Sequence, residues 1–145
     1  MKYLSLILAI TVMSAFKQQT EETLTINTAS FNNDNGKAVL FLFRKNDDIP
    51  NSPFKTLSAE IKDNKANFQF QNLPYGEYAI ILLHDENSNG KIDHSFGMPS
   101  EQLGYSNNWE LGFFTGMPTF SKLKFQFSAT LQTQSINITY KKNKK

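Results

Sequence analysis

Residues 77–93 read EYAIILLHDENSNGKID, and this stretch decides both the fold and the candidate site. Its first part, residues 77–83, is strongly apolar and short, which predicts a buried β-strand. Its second part, residues 84–93, is polar and contains a glycine, so the strand ends and a loop begins. The sequence therefore predicts a buried strand that leads directly into a polar loop.

The polar loop carries oxygen-bearing side chains at the spacing of a calcium-binding loop. When Asp85 is counted as position one, Asn87, Asn89 and Asp93 fall at positions three, five and nine. Lys91, at position seven, offers its backbone carbonyl. Calcium takes about six to eight oxygen ligands, and short loops supply them from alternate residues. Because the spacing follows the first half of D-x-[DN]-x-[DN]-G, we predict a calcium site here.

The match to an EF-hand loop is incomplete. Gly90 stands at position six, where the loop turns sharply and a Cβ is expected to obstruct it, but position twelve is Phe96 rather than glutamate. Either Asp93 binds through both oxygens or a carboxylate from elsewhere completes the shell. Glu101 is the preferred candidate because residues 98–99, Met-Pro, can turn the chain back. The expected affinity is weak, roughly 10⁻⁴ to 10⁻³ M.

A metal-free interpretation of the same loop also exists. Asp, Asn and Gly in succession build consecutive Asx-turns at the end of a strand without any ion. The sequence thus predicts either a calcium site or a chain of such turns, and we favour the calcium site.

Short apolar segments separated by turn signals occur along the rest of the chain. Residues 38–43 are apolar on both faces, which predicts a central strand. Period-two alternation predicts five further strands, near residues 24–27, 57–61, 68–70, 123–127 and 136–140. Seven strands and 13 phenylalanines indicate an all-β protein, a single antiparallel β-sandwich of immunoglobulin or transthyretin type with an aromatic core.

One long irregular loop is predicted between Leu83 and Phe120, where no regular pattern is visible. A loop of that length is uncommon in a compact domain and indicates a functional or specially stabilised segment. Trp109, Phe113 and Phe114 lie within it. They are expected either to plug the end of the sandwich or to form a stacking surface for a sugar or a peptide.

The length of 145 residues predicts one domain, with a targeting segment ahead of it. Residues 1–15 resemble a secretory signal peptide, with a positive start, an apolar run and small residues at the end. A polar spacer (16–22), the β-domain (23–140) and a basic disordered tail (141–145) follow. The apolar run is shorter than the roughly 20 residues that span a bilayer, although an uncleaved anchor is the alternative. We expect a periplasmic or secreted bacterial monomer with no transmembrane segment after cleavage.

Charge and cysteine content exclude several classes of protein. Without Lys2 and the four lysines of the tail, ten basic residues face thirteen acidic ones, so the body lacks the basic surface of a nucleic-acid binder. The absence of cysteine excludes disulfides, thiolate metal sites and a lipid anchor.

Catalytic alternatives find less support. His84 and His94 flank the loop and offer a zinc site with Asp85, but His84 shares a face with apolar strand residues, where a hydrogen-bonded core-edge histidine is expected. Ser106 lacks the G-x-S-x-G context of a hydrolase nucleophile. We assign no catalytic residue, and a hydrolase remains the third alternative.

Three motif blocks resemble a known family. They are Leu73-Pro74-x-Gly76-x-Tyr78-Ala79, His84-Asp85-x-Asn87-x-Asn89-Gly90-x-x-Asp93 and Gly97-x-Pro99-x-Glu101-x-x-Gly104-x-Ser106-Asn107. Over about residues 23–140 the chain resembles the secreted bacterial proteins of domain-of-unknown-function family 2141. The strand and turn ahead of the loop are also similar to transthyretin-like and carboxypeptidase-regulatory-like sandwiches. The resemblance implies an exported β-sandwich without assigned activity. The Tyr-Arg-Gly-Ser ending of transthyretin-like hydrolases is replaced by Tyr140-Lys141-Lys142.

The expected function is therefore an exported, non-enzymatic β-sandwich module whose calcium-stabilised loop serves a structural or binding role at the cell envelope. The alternative is a carbohydrate- or peptide-binding module that uses Trp109, Phe113 and Phe114. The expected partner is an unidentified envelope component or a glycan.

Overall fold

The computed structural model describes residues 21–140, which form ten strands and one short helix. In chain order they are β1 (Glu21–Ala29), β2 (Lys37–Phe43), β3 (Lys55–Ala59), β4 (Lys65–Pro74), β5 (Gly76–Asp85), β6 (His94–Ser95), β7 (Met98–Pro99), β8 (Gln102–Tyr105), α1 (Phe120–Leu123), β9 (Phe125–Phe127) and β10 (Thr133–Tyr140). The predicted signal peptide (1–15), the spacer up to residue 20 and the tail (141–145) lie outside the described residues. No helix among the described residues is long and apolar enough to cross a bilayer.

Eight of these strands form one continuous sheet. Its path is β3-β2-β5-β8-β10-β1-β4, and β9 pairs with the first residues of β5. The pairing of β1 with β10 is parallel, and the other neighbours are antiparallel. Because β3 and β4, at the two ends of the path, contact each other, the sheet nearly closes like a barrel. Strands β6 and β7 form a separate hairpin.

The all-β class predicted from the sequence is confirmed, whereas the division into two sheets is not. Strand β10 accounts for the difference. Its first part pairs with β1 from Thr133 to Asn137, and its last part pairs with β8 at Ile138 and Tyr140. A strand that changes partner in this way joins the two groups of strands that a sandwich keeps apart.

Strands β2 and β5 are buried on both faces, as their unbroken apolar sequences predict. One face, which includes Leu40 and Ile80, belongs to an inner core shared with β1, β4 and β10. The opposite face, which includes Phe41 and Ile81, belongs to an outer core that the segment after β8 covers. The two cores make β5 the centre of the fold, and the polar loop leaves from its end.

Two predictions about the C-terminal half were wrong in detail. The expected irregular loop contains a central strand, β8, whose four residues are all buried between β5 and β10. At Gly104 the neighbouring backbones approach so closely that an added Cβ would overlap the Asn137 carbonyl oxygen and lie 2.9 Å from the carbonyl carbon. The strand expected across residues 123–127 begins instead with the helical turn α1, and β9 covers only Phe125–Phe127.

Candidate functional site

Asp85 is the last residue of β5 and organises the loop that follows. Its side chain is 1% exposed, yet both carboxylate oxygens accept backbone N–H groups. Oδ1 accepts from Asn89 at 3.1 Å and Oδ2 accepts from Gly90 at 2.7 Å. A buried carboxylate is stable only with such donors. Asp85 therefore fixes the turn by binding the backbone of Asn89 and Gly90.

Gly90 adopts φ +74°, a left-handed conformation that disfavours residues with a Cβ. The sharp turn predicted at this position is therefore present. The expected steric obstruction is not, because a Cβ at Gly90 would meet no atom within 4 Å. Backbone conformation, and not space, is what favours glycine here.

Asn87 and Asn89 form two successive Asx-turns. Asn87 Oδ1 accepts the N–H of Asn89 at 3.0 Å, and Asn89 Oδ1 accepts the N–H of Lys91 at 2.8 Å. Both amide nitrogens donate to the Asp93 carboxylate. Asn87 Nδ2 lies 2.7 Å from Oδ2, and Asn89 Nδ2 lies 2.9 and 3.1 Å from the two oxygens. The loop thus encloses one carboxylate with amide hydrogens.

Glu101 returns to the loop from the far side of the β6–β7 hairpin. Its Oε2 accepts the backbone N–H of Asp93 at 3.1 Å, while Oε1 is buried without a hydrogen-bond partner. The N–H of Ser100 also donates to the Asp93 carbonyl at 2.8 Å. The chain reversal that brings Glu101 beside Asp93 lies at Phe96–Gly97, between β6 and β7, and not at residues 98–99 as expected, which form β7. The role of Glu101 as a metal ligand stays a prediction.

The carboxylates of this cluster repel one another. Burial raises the pKa of the Glu101 carboxyl, and the negative charges of Asp93 and Asp85 raise it further against the effect of the Asp93 backbone N–H. Among the described residues the side-chain ion pairs are Arg44–Asp47 and Lys124–Glu77, so no basic side chain forms an ion pair with the cluster. The site therefore has an excess of negative charge that a cation would neutralise.

The acidic side chains alone do not make a closed metal site. Within residues 21–140 no group of three or more His, Asp or Glu side chains has the arrangement to hold a metal ion. A calcium ion would thus depend on the Asn oxygens and backbone carbonyls as well, which is the usual composition of a calcium loop.

The two histidines occupy different settings. His84 is fully buried, its Nε2 lies 2.8 Å from the Asn35 carbonyl oxygen, and its ring meets Phe31 edge-on at 5.3 Å. This is the core-edge environment expected from the strand pattern. Its Nδ1 is buried without a hydrogen-bond partner. His94 is exposed on β6 and pairs with Pro99 of the hairpin.

Ser106 is buried, and its hydroxyl connects two backbone segments through hydrogen bonds. Its Oγ donates to the Leu123 carbonyl at 2.6 Å and accepts the N–H of Ile80 at 2.8 Å, and the residue is 2% exposed. These bonds tie α1 to β5. A hydroxyl held in this way is not presented to a substrate, so the geometry gives the hydrolase alternative no nucleophile at Ser106.

The three aromatic residues of the predicted ligand-contact set separate into two groups. Trp109 is half-buried and packs on the outer core. Its ring meets the Tyr105 ring edge to face, with 4.8 Å between the ring centroids, and Lys122 Nζ lies 5.5 Å from the Trp109 ring centroid. Phe113 and Phe114 are 92% and 95% exposed, and their rings contact each other with 5.1 Å between the ring centroids. Trp109 therefore covers the sheet, while the phenylalanines face solvent.

Sequence reasoning missed a groove beside the polar loop. A cavity of about 410 Å³ lies between residues 50–56 and the loop residues 90–94, over Phe41 of β2. No local pattern signals it, because the two walls are more than thirty residues apart in the chain and meet only through the fold.

Comparison with known families gives one match. Residues 26–135 match the family model described as "Uncharacterized protein conserved in bacteria (DUF2141)", which confirms the resemblance predicted from the motif blocks. None of the curated proteins or solved structures compared with the chain matched it.

Proposed function

Because the chain belongs to the DUF2141 family of uncharacterized bacterial proteins, whose description names no activity, we propose its function from the polar loop. The proposal is an exported, non-enzymatic β-module with a structural or binding role at the cell envelope. Its loop binds calcium through Asp85, Asn87, Asn89, the Lys91 carbonyl, Asp93 and Glu101. Export is supported by the apolar sequence of residues 1–15.

One observation carries the calcium proposal. Asn87, Asn89 and Asp93, which have the spacing of calcium-loop ligands, converge in the structure, where both amide groups contact the Asp93 carboxylate. In the absence of a cation the amide nitrogens stabilise this carboxylate. When a cation enters, the side chains turn so that their oxygens and the Asp93 oxygens face it. Hard oxygen donors of this kind favour calcium over softer metals.

The ion has a defined structural consequence. It neutralises the mutual repulsion of Asp85, Asp93 and Glu101, and it links the end of β5 to the segment that enters β8. Because the ion binds the folded loop and not the unfolded chain, it adds to the free energy of unfolding. Calcium at one hundred times its dissociation constant contributes about 2.7 kcal/mol to folding.

Thermal unfolding of the full chain tests this proposal. Saturating calcium is expected to raise the Tm by about 5 to 10 °C over the chelator-treated protein, with a smaller effect of magnesium. Asp93→Asn is expected to lose the rise, while Asp34→Asn, which alters a carboxylate of another turn, keeps it. An unchanged wild-type Tm in saturating calcium contradicts the proposal.

A second function is favoured by the exposure of Phe113 and Phe114. Two solvent-facing aromatic rings in contact are a rare surface feature that fits the stacking of a sugar or a peptide side chain. In this alternative the ion only supports the loop. Phe113→Ser with Phe114→Ser is then expected to abolish binding across a glycan and peptide panel without lowering the Tm. Equal binding by wild type and variant rules this function out.

A further inference from the structure

The groove between the polar loop and the segment before β3 has the size and shape of a ligand site. Its volume of about 410 Å³ falls in the range of small-molecule pockets, roughly 300–1,000 Å³. The buried ring of Phe41, which is 7% exposed, forms the floor. The residues of the calcium loop from Gly90 to His94 form one wall, except for Asp93.

One charged side chain, that of Lys91, lines the groove together with the imidazole of His94, and no aspartate or glutamate does. Asp93 lies between the lining residues Ile92 and His94, but its carboxylate is held by the two asparagine amides of the loop. Asp48 is not a lining residue, and its carboxylate accepts a hydrogen bond from Nδ2 of the lining residue Asn51 at 3.1 Å. An anionic group fits this wall better than a cation does.

The remaining lining groups combine apolar and hydrogen-bonding surface. Phe41, Ile92 and two prolines offer a flat apolar area, while Asn51 and Thr56 offer an amide oxygen and a hydroxyl. A sugar ring presents a C–H face and several hydroxyls, which match these two kinds of surface. The groove therefore fits a saccharide better than a purely apolar ligand.

The strand at the floor of the groove has no free main-chain hydrogen-bonding groups for a peptide backbone. Phe41 pairs with Thr56 on one side and with Ile81 on the other, so β2 has no unpaired edge there. Peptides that bind sheets commonly add a strand through main-chain hydrogen bonds at such an edge. The floor therefore offers no free main-chain groups to an added peptide strand, which again favours a saccharide.

We propose that this groove binds an acidic saccharide, with the carboxylate against Lys91 and His94 and the sugar ring over Phe41. This deepens the proposed binding role at the cell envelope and rests on that role, and residues 90–94 of the loop supply one wall whether or not calcium is bound. The groove is separate from the exposed Phe113 and Phe114.

Isothermal titration of the full chain in calcium tests the proposal with a glucuronate-terminated disaccharide and its glucose-terminated counterpart. The acidic disaccharide is expected to bind more tightly, and Lys91→Gln is expected to reduce that preference roughly fivefold. Thr56→Trp, at an exposed position of β3, fills the groove and is expected to abolish binding. Ser58→Trp, two residues along the same strand, is the matched control and retains it.

Three results overturn the proposal. They are no binding of the acidic disaccharide, equal binding by Thr56→Trp and wild type, or tighter binding of a tetraglutamate peptide. Because the calcium-dependent Tm is measured without any saccharide, a normal Tm rise with no saccharide binding rejects the groove ligand alone. No Tm rise rejects the calcium function, and saccharide binding blocked by Thr56→Trp then supports the groove independently.

Discussion

Replacing Asp85 with alanine tests how the loop is held, and the structure gives the expected size of the effect. The substitution removes acceptors from the N–H groups of Asn89 and Gly90. Hydrogen bonds to a charged acceptor contribute about 1.5 to 3 kcal/mol each. Both donors lie in exposed residues and become hydrated when released, so the expected loss is about 2 to 3 kcal/mol for the pair.

The loss is expected to be local. Hydrogen exchange of the metal-free protein should accelerate roughly 30- to 150-fold at the N–H groups of Asp93 and Ser100, which pair within the loop region. Strands β1 and β4, which pair with each other on the far side of the sheet, should exchange at the wild-type rate.

Asp34→Ala is the matched control for this experiment. Asp34 also accepts two backbone N–H groups, those of Asp63 at 2.9 Å and Asn64 at 2.8 Å, but in a different turn. Its replacement should loosen that turn and leave residues 86–101 unchanged. Uniform acceleration over all strands in Asp85→Ala, or none at Asp93 and Ser100, refutes the reasoning.

Three other substitutions probe the surroundings of the site. Because the pKa of Glu101 is raised above its ordinary value of 4.5, the folded protein holds this proton more tightly than the unfolded chain. The stability from this group is present at low pH and lost as the pH rises through the raised pKa. The Tm of chelator-treated protein should therefore fall less between pH 4.5 and pH 8 in Glu101→Gln than in the wild type. Parallel curves of Tm against pH for the two proteins contradict this. Ser106→Ala leaves a buried N–H and a carbonyl unpaired, so the free energy of unfolding measured in urea should fall by about 3 kcal/mol. Ser58→Ala, at an exposed position, should leave it unchanged. Gly104→Ala should lower the free energy of unfolding by about 3 kcal/mol in the same assay, because the new Cβ meets the Asn137 backbone. Gly76→Ala should be tolerated, since the nearest atom to its Cβ is 3.9 Å away. A tolerated Gly104→Ala would show that β8 and β10 separate easily.

The parts of the fold that depend on local sequence were predictable. The apolar runs of β2 and β5 predict strands buried on both faces because they are continuous and too short for a buried helix. The Asx-turns at Asn87 and Asn89 also follow from the sequence, since each bond spans only two residues. Glu101 was placed beside Asp93 because a short reversal of the chain suffices.

The parts that depend on distant contacts were not predictable. Strand β8 has only four residues, with Gln102 and Gly104 among them, and it is buried by pairing with β5 and β10 and by the residues that cover the outer core. The near closure of the sheet depends on the change of partner along β10, which an alternating pattern does not encode. For the same reason the sequence could not separate Trp109, which covers the sheet, from Phe113 and Phe114, which face solvent.

The central claim is that the loop after β5 binds calcium, and calorimetric titration of calcium into the chelator-treated full chain tests it most directly. The account predicts one site with a Kd of roughly 10⁻⁴ to 10⁻³ M and no binding heat from Asp93→Asn. No heat from the wild type at calcium concentrations far above this range, or equal heat from Asp93→Asn, would contradict it.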